Sequence, residues 1–300
     1  MNKSYVKNAL LLICLTALMV SCGNNDGDND VESSGLSTID SMKAISAEKI
    51  FYSIPSPIEM ASLLKASGSE YDSKLPNPID RKDKYSTLRS RALNLGVYGA
   101  DLSYAVVYDN TQESMLYLAC AKKLADDLGI TSAFSEEKIA KMEANMNNRD
   151  SMLALISDSY WETDAYLQEN ERGNVSAYII TGGWIEGIYL GCKIERKLKA
   201  TGKNKEIAKR IAEQKVSLEN LISLLESYAS PDSFGDLITD LKDLQAIYAT
   251  IKQVETETTS VTNPDGSTTI GGGATFEITE EQLSAIDKKV SEIRTKITQP

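Results

Sequence analysis

Histidine is absent from the chain. Without an imidazole to carry a proton or bind a metal near neutral pH, the serine-histidine and cysteine-histidine nucleophile systems, the histidine-bearing zinc sites and the Glu-x-x-His di-metal bundles are all excluded. Any catalysis would run on carboxylates, lysine, tyrosine or a lysine-activated serine. Cysteine is scarce: beyond Cys14 and Cys22 near the start, only Cys120 and Cys192 remain. An exported protein can pair such a couple, but both stand in apolar helical stretches where free buried thiols are common, and both states stay open. Positive charge is in deficit, with 32 Lys and Arg against 43 Asp and Glu and a net charge of −11. Such a surface repels phosphate backbones. The dense basic stretch Lys193 to Lys209 is interleaved with Glu195 and Glu206 at helical spacing, as in a solvated face of ion pairs. No nucleic-acid partner is expected.

Long apolar runs are also scarce. The first, Ala9 to Val20, follows Lys3 and Lys7 with no acid before it, which is the layout of a secretory signal. At about 1.5 Å per residue it covers roughly 18 Å, short of the ~30 Å hydrocarbon core of a bilayer. Leu18-Met19-Val20-Ser21-Cys22 resembles the lipobox of bacterial lipoproteins. In that family the cysteine sulfur receives a diacylglyceryl group before cleavage, and the new amino terminus is then acylated. The resemblance implies a signal peptide over residues 1–21 and a lipid-bilayer anchor through acylated Cys22, each buried CH₂ contributing about 0.8 kcal/mol. Residues 1–21 carry two lysines and no acid, so their removal takes the charge from −11 to −13.

Residues 22–44 read as a flexible acidic tether, beginning GNNDGDND after Cys22, because too little apolar surface is present to offset ordering entropy. Alternating Asp26, Asp28 and Asp30 do not make a calcium loop: Val31 stands where the turning glycine is needed and Ser37 where the bidentate Glu is needed. No metal or other cofactor is expected. An acidic patch just after the cysteine resembles the surface-export signal of Bacteroidetes-type lipoproteins, which implies an outer-membrane, outward-facing location.

Residues 45–300 read as one all-α body, a bundle of about eight to ten helices with a small β-hairpin excursion before the last, since amphipathic helices cannot bury their stripes singly. Ser56-Pro57 opens a helix that Gly68 closes. Helices are predicted over Ser86 to Asp109 and Gln112 to Leu128, the latter with Met115, Leu118, Ala121, Ala125 and Leu128 as its apolar face. Ser135 caps the next segment, which breaks near Asn147-Asn148 and resumes to about Asn170. The polar knot Asn145 to Asp150 reads as that break, satisfied by side chains, rather than as a ligand site. Val175 to Lys199 is the most apolar run of the body. Glu186 at its middle, with Gly182, Gly183, Gly187 and Gly191, marks a core helix rather than a membrane span. Ile207, Ile211, Leu218, Ile222 and Leu225 define another helix, and Ser230-Pro231 starts the next, carrying Phe234, Leu237, Leu241, Leu244, Ile247 and Ile251. Thr256 to Ile278, with Asn263-Pro264-Asp265-Gly266, is the hairpin insertion. Thr279 to Gln282 is a capping box for a final helix with Leu283, Ile286, Val290, Ile293 and Ile297.

Shifting the chain by 85 places Asp101 on Glu186 and Tyr104 on Tyr189; a shift of 86 places Gly96 on Gly182 and Tyr98 on Trp184. Two helical hairpins related by pseudo-symmetry would give this pattern, and so would coincidence. Small residues at Ala92, Gly96, Ala100 and Ser103, and at Gly183, Gly187 and Gly191, predict close approach of two central helices. Asp101 and Glu186 are the acids in the apolar middle of these helices, and an unpaired buried carboxylate is costly. Two readings compete. In one, both acids face a cavity with Tyr104 and Tyr189 as a candidate ligand-binding or acid/base site. In the other, favoured on residue type, they meet Arg89, Arg91, a tyrosine or a serine and fix helix register. The fourteen tyrosines suit a carbohydrate-binding surface, but their helical positions point to the rim of the core.

Ile54-Pro55-Ser56-Pro57-Ile58-Glu59-Met60, Leu93 to Asp101 (LNLGVYGAD) and Asn147-Asn148-Arg149-Asp150-Ser151 resemble a group of uncharacterised helical lipoproteins of Bacteroidetes type. The resemblance covers about residues 50 to 195. It implies the same export route and helical body and brings no catalytic residues. The leading expectation is a membrane-anchored envelope lipoprotein with a non-catalytic role, binding an envelope protein, a glycan or a small ligand. The alternatives are a carboxylate-based hydrolase or lyase using Asp101 and Glu186, and a purely structural or assembly lipoprotein.

Overall fold

The computed structural model describes residues 57–130, 134–228, 234–262 and 268–300, with backbone alone at 256–262 and 268–274. The signal segment, Cys22, the acidic tether, Ser56, the Ser230-Pro231 start and the Asn263 to Gly266 turn lie outside the described residues. Within them the protein is all-α, with nine α-helices and a two-stranded antiparallel hairpin before the last helix.

Helix α1, Pro57–Ala66, starts on a proline whose missing N–H costs nothing there, and Gly68 at φ +80° turns the chain away. After a 3₁₀ turn at Ile79–Arg81, α2 spans Leu88–Val107. It starts two residues later than the apolar pattern predicts because Thr87 and Ser90 form a capping box. Asn110 caps α3, Thr111–Asp127. Ser135 caps α4, Glu136–Ala144, and Asn148 caps α5, Arg149–Glu169, so the polar knot is the predicted helix break. Helices α6, Gly173–Leu198, α7, Lys205–Ser227, and α8, Gly235–Ala249, follow. Strands β1, Lys252–Thr262, and β2, Thr268–Glu277, pair from Lys252 with Glu277 outward, so the hairpin begins four residues before the predicted Thr256. Its base is held to the body: Phe276 and Ile278 pack against the core. Helix α9, Glu280–Thr298, begins with the predicted Thr279/Gln282 capping box.

Helices α2 and α6 form the centre and share the most extensive contact of any helix pair. Helix α3 packs back on α2 and α7 on α6, while α1 and α9 each touch both central helices. The crossing has no room for side chains. A Cβ on Gly96 would lie 1.9 Å from the Ile179 carbonyl oxygen, and one on Gly182 would lie 1.9 Å from that of Leu93. The two contacts are reciprocal. A shift of 86 carries Leu93 to Ile179 and Gly96 to Gly182, so each helix presents to the other the same backbone step.

Two predicted details differ, and the state of the cysteines is settled among the described residues. Gly187 faces open space and Gly191 meets Met60 of α1, so Gly182 with Gly96 sets the approach. Met115 is 51% exposed, because the buried face of α3 turns through Tyr117, Leu118, Ala121, Leu124 and Ala125 instead. Cys120 and Cys192 are free and buried, and burial pushes the Cys120 thiol up to about 12, leaving little thiolate at neutral pH.

Because the obstacles at the crossing are backbone atoms that cannot rotate away, Gly96→Ala or Gly182→Ala should each cost about 3 kcal/mol or more in urea unfolding. Gly187→Ala should stabilise by about 0.5 to 1 kcal/mol through helix propensity.

Candidate functional site

Two apolar helices that each bury an acid need something positive between or beside them. The cation is Arg294 of α9. Its Nε donates to Glu186 Oε2 at 2.6 Å and its Nη2 to Glu186 Oε1 at 2.8 Å, a two-pronged pair that uses both carboxylate oxygens. Nη2 also donates to the Leu75 carbonyl at 3.0 Å. The guanidinium carbon lies 4.0 Å from the centre of the Tyr189 ring, with Lys193 Nζ 5.1 Å from the same ring. Asp101 and Glu186 have no solvent exposure.

Asp101 Oδ2 accepts from the Asn77 backbone N–H at 3.0 Å, while Oδ1 has no hydrogen-bond donor. Burial raises the Asp101 carboxyl well above the usual carboxylate range, and the neighbouring Glu186 charge adds to it, against the opposing pull of Arg294 and the Asn77 amide. Two ionised carboxylates have nothing to donate to one another. A proton on Asp101 resolves this, since the side chain then donates to Glu186, with which it interacts directly. The site is two buried carboxyl groups and an arginine, with burial and the neighbouring acid raising the proton affinity of Asp101.

A polar network seats this cluster. Asn77 Nδ2 donates to Tyr85 Oη at 3.0 Å, and Tyr85 in turn donates to the Thr298 carbonyl at 3.0 Å. Arg81 reaches the same carbonyl at 3.2 Å and Asn94 Nδ2 reaches that of Ile297 at 2.7 Å. The last carbonyls of α9, which a helix cannot satisfy itself, are thus held by α2 and by the segment before it.

The four sequence-derived candidates divide. Asp101 and Glu186 meet, and Tyr189 joins them by stacking on Arg294. Tyr104 is fully buried and turns to other partners: its hydroxyl accepts from Asp72 N at 3.0 Å and its ring centre lies 4.9 Å from those of Tyr71 and Tyr108. The expected arginine partners are elsewhere, Arg89 on Asp236 at 2.8 Å and Arg91 beside Asp127 at 3.7 Å. Both stand in the first turn of α2, too far along the helix to reach Asp101. Arg294 was missed, although it left a signal: it stands four residues after Val290 and three before Ile297, on the apolar stripe of α9.

The cavity of about 30 Å³ lined by Leu95, Leu102, Ala121, Met142, Ile156 and Tyr160 contains none of these acids. Among the described residues no three His, Cys, Asp or Glu side chains are grouped to hold a metal ion, and no helix is long and apolar enough to cross a membrane. Nothing matches the chain among protein-family models, curated proteins or solved structures.

Arg294→Met should cost about 3 to 5 kcal/mol in urea unfolding, because it leaves the Glu186 charge buried alone. Asp101→Asn should be nearly neutral in acid and increasingly stabilising as pH rises. The raised folded value means that the contribution of Asp101 is fully present below the ordinary aspartate range and lost as pH climbs toward that value, at up to about 1.4 kcal/mol per pH unit. Unfolding free energies at pH about 5 and 7 would show the substituted protein with the flatter profile.

Proposed function

We propose that this protein is a lipid-anchored envelope protein of the bacterial outer membrane whose helical body binds a partner rather than catalysing a reaction. One observation supports the non-catalytic reading above others. Both acids that could serve as general acid and base are sealed from solvent, and both oxygens of Glu186 are occupied by Arg294. A general base must lie within hydrogen-bond reach of a substrate proton, and a buried carboxylate already paired on both oxygens offers no such approach. The cluster instead ties α2, α6 and α9 together, so its chemistry serves the fold. The anchor rests on the lipobox-like Leu18 to Cys22, and the surface address on the acidic residues that follow. Several acyl chains on one cysteine hold a protein on a bilayer stably, where a single chain would not.

Mass spectrometry of the natural protein should find Cys22 as the first residue, carrying diacylglyceryl and an amide-linked acyl chain. Cys22→Ser should leave an uncut precursor without lipid. A natural protein beginning at Met1, or free of lipid at Cys22, would exclude the anchor. Replacing Asp101 by Asn together with Glu186 by Gln should alter melting and leave the set of co-purifying partners unchanged; loss of a bound ligand without loss of fold would restore the catalytic alternative.

A further inference from the structure

An open cleft of about 600 Å³ lies between α6 and α9. Its α9 wall carries Ser284, Lys288, Ser291 and Thr295 at 4-3-4 spacing, which sets them in one stripe about 16 Å long. The α6 wall carries Lys193 and Arg196. Between the walls Asp287 is 4% exposed and takes two cations: Lys193 Nζ donates to its Oδ1 at 2.6 Å, and Arg196 pairs with its Oδ2. Lys193 also donates to Ser291 Oγ at 2.9 Å, which fixes the amine at the cleft floor.

The charge of this cleft runs against that of the chain. Four cations, with Lys288 and Lys296 completing the set, line it against Asp287 and Glu292, and Asp240 from α8 pairs with Lys296, which leaves an excess of one positive charge where the whole chain stands at −11. Lys296 is drawn toward Asp240, but Arg196 is 59% exposed on its side chain and a guanidinium has more N–H donors than Asp287 uses. Lys288 is exposed on the opposite wall. A positive cleft on a negative protein selects anions by repelling them elsewhere. A bare phosphate or sulfate would fill a small part of the stripe and face Glu292 as a like charge. A ligand that suits every group bears spaced anionic groups for the cations and hydroxyl donors for Glu292 and the serine and threonine oxygens.

We propose that this cleft binds an acidic oligosaccharide, a chain of several sugar units bearing carboxylates, with Arg196 and Lys288 holding carboxylates and Glu292, Ser284 and Thr295 meeting ring hydroxyls. The assignment rests on the non-catalytic binding role above and gives it a ligand class; it does not depend on acylation of Cys22.

Calorimetry on the full chain in detergent tests it with four probes: a uronic-acid tetrasaccharide, a neutral tetrasaccharide of equal length, inorganic sulfate, and phosphatidylglycerol vesicles. The uronate should bind saturably and more weakly as salt rises. Joint substitution Arg196→Gln and Lys288→Gln should weaken it by about tenfold or more in a protein that stays folded, since charge-assisted hydrogen bonds are removed while Lys193 still neutralises Asp287. Lys122→Gln with Lys123→Gln, on the surface of α3, should not. No uronate binding, equal binding of the neutral chain, displacement by equimolar sulfate, vesicle binding that the tetrasaccharide does not compete, or insensitivity to the cleft substitution would each overturn the assignment. Because the mass of the natural amino terminus is read separately, a failed ligand and a failed anchor would be told apart.

Discussion

The pair between Glu186 and Arg294 is the interaction on which the arrangement of the body turns. A carboxylate in the middle of a central helix cannot stay ionised without a cation, and no basic residue on α2 or α6 supplies one at that depth. The arginine comes from α9, so the last helix must lie across the first central pair in one register. The fork of two parallel N–H···O bonds fixes rotation as well as position. The remaining donors of the guanidinium and the stacking on Tyr189 then bind the segment around Leu75 to the same point. Burial of such a pair adds little net stability, since desolvation offsets most of the attraction. What it supplies is a fixed register for α9, set by the fork on Glu186.

Much of this body was legible from residue spacing. Apolar periodicity marked the helices, and side chains with a definite capping role marked their ends: Ser135, the break before Asn148 and the Thr279/Gln282 box all stand where local chemistry places them. The acids Asp101 and Glu186 stood out because they interrupt otherwise apolar helices, and the structure brings them together. What was not legible is tertiary. The partner of Glu186 lies more than a hundred residues away along the chain, and nothing local distinguishes Arg294 from the arginines nearer by except its place on an apolar stripe. The exposure of Met115 is of the same kind: helix phase is set by what α3 packs against, and Tyr117 outweighs it in buried area.

The central crossing gives physical meaning to the faint internal similarity. Equivalent positions under a shift of 86, Gly96 and Gly182, each rest on the carbonyl of the residue equivalent to the other's contact, Ile179 and Leu93. Such reciprocity is what a two-fold axis produces at an interface. The match slips by one residue before the acids, where the shift becomes 85, so the symmetry is that of the close-packed step and not of the charged cluster.

The carbonyls at the end of α9 are held by Asn94, Tyr85 and Arg81, donors more than two hundred residues earlier. Contacts this distant in order close late, because the loop entropy must be met before they form. A nascent polypeptide ending anywhere before residue 280 lacks Arg294, so its middle carboxylate has no cation, although the seam between α2 and α6 needs none of the missing residues. The last helix to be made is thus the one that seals the charge at the centre.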